Sequence, residues 1–136
     1  MDYRAVFIGF VMAAVLVMGA DAKAAGTPDY VEFTVHDIAR TKAFYGAVFG
    51  WTFTDYGPDY TSFNAATVGG GFTTDGPVKS AGGPLIVFSV PDIEATFGKA
   101  QATGAEIVKP IFSFPGGRRF HIKDPDGYEI AVWSET

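Results

Sequence analysis

One short phrase occurs twice in this chain, and the repetition narrows the folds open to it. Residues Val31–Thr41 read VEFTVHDIART, and residues Ile86–Thr96 read IVFSVPDIEAT. Phe, Val, Asp, Ile and Thr recur in place, and Thr34 is answered by Ser89. Two copies about 55 residues apart do not make a solenoid; they describe a duplicated module whose halves pack about a pseudo-twofold axis.

Each copy opens as a strand with one buried face. Val31, Phe33 and Val35 alternate with Glu32 and Thr34, as Ile86, Phe88 and Val90 alternate with Val87 and Ser89. Asp37 and Asp92 follow where a helix N-cap belongs, each offering a side-chain oxygen to unpaired backbone amides. Pro91 suits the strand-to-helix turn. Ile38, Phe44, Tyr45 and Val48 recur at helical spacing, and Gly50 and Gly104 stop the two helices in the left-handed conformation that glycine accepts. Three strands are then expected in each copy, over 51–56, 60–64 and 68–72 and over 106–112, 118–123 and 128–133. Gly57-Pro58-Asp59, Pro115–Gly117 and Asp124–Gly127 supply turns between them. The order is βαβββ twice, an α+β fold with modules at about 28–76 and 83–136 forming one domain over 28–136. Each four-stranded mixed sheet buries one face under its helix, and the remaining faces curve around a shared cleft with the helices outside.

The 136 residues suit one domain, and 13 Phe and 6 Tyr can fill its core. Cysteine is absent, which rules out disulfides, zinc–thiolate sites and a cysteine nucleophile. With a net charge of −5 and Arg118-Arg119 as the one tight basic pair, nucleic acid is not an expected partner. Residues Ala5–Ala20 carry no charge, follow Arg4, and lead into the small-x-small patterns Ala20-Asp21-Ala22 and Ala22-Lys23-Ala24. This reads as a secretory signal over 1–25, implying export to the periplasm or medium and no stable membrane association after cleavage. An uncleaved anchor is one alternative, although the run falls short of the about 20 residues of a comfortable span. A translation start at Met18, leaving a cytoplasmic protein, is the other.

The pattern resembles the vicinal oxygen chelate superfamily, which includes glyoxalase I, extradiol dioxygenases, and the fosfomycin- and bleomycin-resistance proteins. The resemblance rests on Val35–Ile38 through Phe44-Tyr45, on Gly50-Trp51, and above all on the DPDGYEI segment Asp124–Ile130. In metal-bearing relatives four inward positions hold a divalent ion, one near the start of each module's first strand and one on each last strand. The resemblance puts Tyr30, Leu85, Ala131 and the run Gly69–Gly71 there. Tyrosine, leucine, alanine and glycine supply no His or carboxylate donor, so neither a metal site nor another cofactor is expected, and the family's metal-based mechanism is in doubt.

Alternation then gives the expected lining of the cleft. Tyr30 brings Glu32 with it, Leu85 brings Val87, and Ala131 brings Glu129 and Trp133; family alignment back from Asp124 adds Arg119 and His121. A mixture of Tyr30, Leu85, Val87 and Trp133 with Arg119, His121 and Glu129 suits a small aromatic or anionic ligand. His121 and Glu32 are the candidate acid–base residues. Plainer roles are available to each. His121 can be an ordinary strand histidine, Glu32 and Arg119 a structural ion pair, and Trp133 and Tyr30 simple packing. His36 and Arg118 are expected at the surface and Trp51 in the core. The triple glycine lacks the Lys-Ser/Thr and the helix start of a phosphate loop. Two functions follow: a metal-free binding protein for a small molecule, or a glyoxalase-like lyase, isomerase or transferase using His121 and Glu32. A homodimer is expected by family resemblance.

Overall fold

The computed structural model describes residues 25, 26, 28–65 and 67–136. All but the last residue of the expected signal segment therefore lies outside the described residues. The elements run β1 (Tyr30–Thr34), α1 (Ile38–Phe49), β2 (Phe53–Asp55), β3 (Tyr60–Phe63), β4 (Gly69–Thr73), β5 (Ile86–Ser89), α2 (Ile93–Ala102), β6 (Ile107–Phe114), β7 (Gly117–Lys123) and β8 (Glu129–Ser134). They form two four-stranded sheets, ordered β1-β4-β3-β2 and β5-β8-β7-β6. In each, the first strand lies parallel to the last and the remaining pairs are antiparallel. The duplicated βαβββ architecture is thus the one the repeat implies.

The helices start where their caps are. Asp37 accepts the Arg40 amide at 3.0 Å, and Asp92 accepts the Ala95 amide at 3.0 Å; each such cap stabilises by about 1 kcal/mol. Gly50, at φ +72°, closes α1 with its amide on the Gly46 carbonyl. In the second module β6 runs two residues further than its apolar pattern suggests, because Pro115-Gly116 alone make the turn. Gly117 (φ +149°) then passes so close to the last strand that a Cβ there would collide with the Ser134 carbonyl oxygen.

Alternation puts Phe33 of β1 and Val35 just after it in one buried cluster with Phe44, Tyr45 and Val48 of α1, while Ile93, Phe120, Ile122, Ile130 and Val132 do the same work in the second module. The two cores are continuous. Tyr45 is fully buried, with Trp51 and Phe72 each 5.0 Å away between ring centroids and Phe88 of the second module at 6.4 Å. Phe49 and Phe88 meet at 5.1 Å. Each ring removed from water this way contributes about 2 kcal/mol or more, so neither module is a complete core by itself.

The Asp-Pro-Asp-Gly turn joins the modules. Asp124 Oδ1 accepts the amides of Asp126 (2.9 Å) and Tyr128 (3.0 Å), and Oδ2 accepts the Tyr45 hydroxyl at 2.9 Å. Burial raises the Asp124 pKa, and these three donors pull it partway back. Burial, followed by the Asp124 charge, pushes the Tyr45 phenol well above its ordinary value. Asp126 accepts the His36 amide at 3.0 Å and the Arg40 guanidinium at 3.1 Å. One turn of the second module therefore grips the strand–helix corner of the first, leaving the His36 ring exposed.

Candidate functional site

The second sheet's register decides which side chains share its uncovered face. Arg119 lies opposite Trp133, His121 opposite Ala131, and Lys123 opposite Glu129. Val87 lies beside Ala131 and Ser89 beside Trp133. Directly paired residues point the same way, so this face carries Arg119, His121, Glu129, Trp133 and Val87.

His121 is 2 % exposed, and its Nδ1 is 2.8 Å from Glu129 Oε2. An ionised carboxylate can only accept, so this contact draws the ring proton to Nδ1 and leaves Nε2 to act outward. The Arg119 guanidinium rests on two rings, 5.6 Å from the centroid of Phe112 and 5.4 Å from that of Phe114, and Lys109 Nζ lies 5.9 Å from Phe112. His121 Nε2 and Arg119 Nε are buried without a hydrogen-bond partner among the described residues. Such groups are costly to leave unmade, roughly 1–3 kcal/mol each. Both residues border a cavity of about 450 Å³ shared with Lys109, Tyr128, Glu129 and the inter-module segment Ser80 and Gly82–Leu85.

Of the lining expected from sequence, Leu85, Arg119, His121 and Glu129 come together here. The others do not. Val87 lines a separate cavity at the module junction, and Trp133, edge-on to Phe114 at 6.2 Å, borders a shallow hollow with Ser89 to Pro91 and the C-terminal residues. Tyr30 and Glu32 belong to the first sheet, where the Tyr30 and Tyr60 hydroxyls are 2.6 Å apart and Tyr60 donates to Glu32 at 3.0 Å. Burial, then these two bonds, raises the Tyr60 pKa. Glu32 is therefore neither the ion-pair partner of Arg119 nor the carboxylate on His121; Glu129 holds the imidazole. The cavity, correspondingly, is built from the second module and the linker rather than from both modules equally. Arg118 points to the helix side, where it pairs with Glu94 at 2.6 Å.

Sequence reasoning missed Lys109, Phe112, Tyr128 and Tyr60. Strict alternation cannot put Lys109 and Phe112 on one face, since they are three residues apart. Register shifts between Ile107 and Lys109 and between Lys109 and Phe112 let Lys109 oppose His121 and Phe112 oppose Arg119. A bulge does this by giving one strand extra residues, and Pro110, which has no amide to donate, was the available signal.

The metal positions can be tested by what surrounds them. Gly71 is the inward residue of β4, and a Cβ there would fall 2.7 Å from Tyr60 Cζ and 2.8 Å from the Tyr30 hydroxyl. Two phenols thus take the space of a ligand side chain. Ala131 and Leu85 supply no donor on the other side. Among the described residues no three His, Cys, Asp or Glu side chains converge to hold an ion. The residues present do not fit the family's metal.

The twin βαβββ sheets define an α+β domain of the glyoxalase type. A sequence model of the Glyoxalase/Bleomycin resistance protein/Dioxygenase superfamily matches residues 27–132, and the chain belongs to that superfamily. It is 27 % identical over 126 residues to the Mycobacterium bovis protein CFP32, provisionally named a glyoxylase. That match takes in 79 % of this chain and 45 % of CFP32, so the chain spans a little under half the length of the curated relative. Among solved structures, a glyoxalase/bleomycin resistance protein/dioxygenase family enzyme from Burkholderia phytofirmans superposes with a TM-score of 0.71 at 19 % identity, covering 82 % of this chain and all of that one. The fosfomycin resistance protein FosX of Listeria monocytogenes gives 0.68 at 18 %, covering 84 % and 96 %. At such identities the structures establish a shared fold and nothing finer.

Proposed function

We propose that the protein binds a small organic anion, with an aromatic or aliphatic body, in the cavity walled by β7 and the inter-module linker. The observation that carries this is the buried Arg119 Nε–H on that wall, a donor with no partner among the described residues, beside the equally unpartnered His121 Nε2, which accepts on the neutral ring and donates once the ring is protonated. Arg119 and Lys109 outweigh Glu129 in charge there, so the polar end of the ligand is an acceptor, a carboxylate or phosphonate. Phe112 and Phe114 hold the guanidinium flat and ready, which lowers the cost of ordering it on binding. Leu85, Pro84 and the Tyr128 ring offer the apolar contact for the rest of the ligand.

A second reading, catalysis, is favoured by the His121–Glu129 contact. A carboxylate on Nδ1 orients the ring so that Nε2 can take or give a proton, and Glu129 serves in place of Glu32 as the partner. The chemistry would be a lyase, isomerase or transferase reaction on an anionic substrate, run without the family's metal.

Thermal-shift and calorimetric titration with benzoate, phenylacetate and phenylphosphonate tests both. Binding is expected to weaken about 10- to 100-fold in Arg119→Ala, the loss of a charge-assisted bond. Affinity that ignores Arg119→Ala and His121→Ala would put the ligand elsewhere. Turnover of a ligand so identified, lost in His121→Ala with affinity kept, would decide for the enzyme.

A further inference from the structure

The two modules meet at two junctions, and the pseudo-twofold axis makes those junctions comparable. Val31 pairs with Gly70 as Ile86 pairs with Ile130, so Phe88 corresponds to Phe33, Ser89 to Thr34, and Val68 to Tyr128. At one junction Tyr128 fills the gap. Its ring meets Phe33 edge-to-face, 5.2 Å between centroids at 80°, and its hydroxyl donates to the Thr34 carbonyl at 2.9 Å. At the other junction the corresponding side chain is Val68, 43 % exposed, and a cavity of about 450 Å³ opens between Phe88, Trp51, Phe49, Phe63 and Val31.

The hydrogen-bond acceptor is repeated as well. Val35 donates its amide to Thr73 of its own sheet, and Val90 donates likewise to Trp133. A trans peptide points its carbonyl opposite to its amide, so the Thr34 and Ser89 carbonyls both face off the sheet edge into their junctions. Tyr128 takes the first, and Ser89 lines the cavity at the second. Among the described residues no charged side chain lines that cavity.

We propose that this second cavity binds a small neutral phenol, in the place its own pseudo-symmetry assigns to a tyrosine ring. The ring lies edge-on to Phe88, and the hydroxyl donates to the Ser89 carbonyl oxygen. The site is independent of the anion cavity: it shares no side chain with it and needs no charge.

The probe is p-cresol, which is the tyrosine side chain itself, followed by the fluorescence of Trp51 in a Trp133→Phe background that leaves one tryptophan. Saturable one-to-one binding is expected, about fivefold tighter than toluene, the difference of one hydrogen bond. Val68→Tyr should place the chain's own phenol in the cavity, raising the melting temperature and abolishing p-cresol binding. Val68 is exposed, so this substitution threatens the fold little; Val68→Phe, which fills without donating, provides the second variant and should also block the probe. Arg119→Ala should leave p-cresol untouched while weakening benzoate, so failure of the anion site and failure of this one are separable. Binding of p-cresol that persists unchanged in both Val68 variants, or equal affinity for toluene, would overturn the proposal. So would a dimer that Val68→Tyr disperses and p-cresol competes with, since a second copy would then own the cavity.

Discussion

Replacing Tyr45 by Phe removes one oxygen from the centre of the molecule, and the cost can be worked out. The hydroxyl is fully buried and donates at 2.9 Å to Asp124, itself 5 % exposed. A hydrogen bond to a charged acceptor contributes roughly 1.5–3 kcal/mol, and among the described residues no other donor bonds that carboxylate oxygen, so about 2 kcal/mol is expected. In a domain near 110 residues this lowers the melting temperature by about 8 °C. Asp124→Ala should cost about 4 kcal/mol, because the Asp126 and Tyr128 amides lose their acceptor too. Asp124→Asn keeps Oδ1 for those amides and can donate to the Tyr45 oxygen, so it should cost about 1 kcal/mol. The pH dependence follows from sign. Burial raises the folded pKa of Asp124 above 3.8, so its contribution to stability is full below 3.8 and declines as pH rises through the folded pKa. The Tyr45 bond limits that decline by favouring the carboxylate. Tyr45→Phe therefore costs most at pH 7, and less as pH falls toward 3.8 and the acid becomes protonated with or without its phenol. Urea denaturation followed by circular dichroism at pH 7 and pH 4 measures this. A cost under about 0.5 kcal/mol at pH 7, or one that grows on acidification, refutes the account.

Further perturbations address other parts of the molecule. Gly117→Ala sets a methyl against the Ser134 carbonyl at φ +149° and should cost about 3 kcal/mol or more, read as lost soluble yield or a sharply lower melting temperature. Arg40→Ala strips the fully buried Asp126 carboxylate of its cation; discounted for the half-exposed guanidinium, about 1–2 kcal/mol should be lost in urea. Glu129→Gln takes the ionised acceptor from His121 Nδ1, and imidazole ¹⁵N shifts should move away from the Nδ1–H tautomer; an unchanged spectrum would show that Glu129 does not orient the ring.

What could be read from the sequence was whatever obeys a period. The repeated phrase, the two aspartate caps and the strand alternation gave both modules; alternation along β8 placed Glu129, and family alignment back from Asp124 placed Arg119 and His121, on the face that the sheet register gives all three. What escaped reading breaks a period or crosses between modules. The β6 bulge brings Phe112 beneath the Arg119 guanidinium, against the count along the strand. Ser80 and the run Gly82–Pro84 have no periodic signal, yet they wall one side of the cavity beside Leu85. The Asp-Pro-Asp-Gly turn was legible as a turn but not as the grip on Tyr45, His36 and Arg40, since partners 79 to 90 residues away leave no local mark.

Pseudo-symmetry also says which half of the molecule should bind. Registers equate Tyr60 with Arg119, Ser62 with His121, Glu32 with Val87 and Gly71 with Ala131. On the first sheet the polar groups satisfy one another: Tyr30 meets Tyr60, Tyr60 meets Glu32, and both phenols cover Gly71. On the second sheet the corresponding positions leave His121 Nε2 and Arg119 Nε unpaired. A ligand gains most where buried polar groups have no partner already, because no existing bond must be broken to receive it. Tyr60→Phe breaks the first sheet's network without touching the cavity wall, so benzoate affinity should stay within about twofold, while Arg119→Lys, which keeps the charge but loses the stacked planar fork, should weaken it about tenfold. Equal losses in the two variants, measured by calorimetry, would mean that the ligand reaches across both sheets and that the division of labour between the modules is wrong.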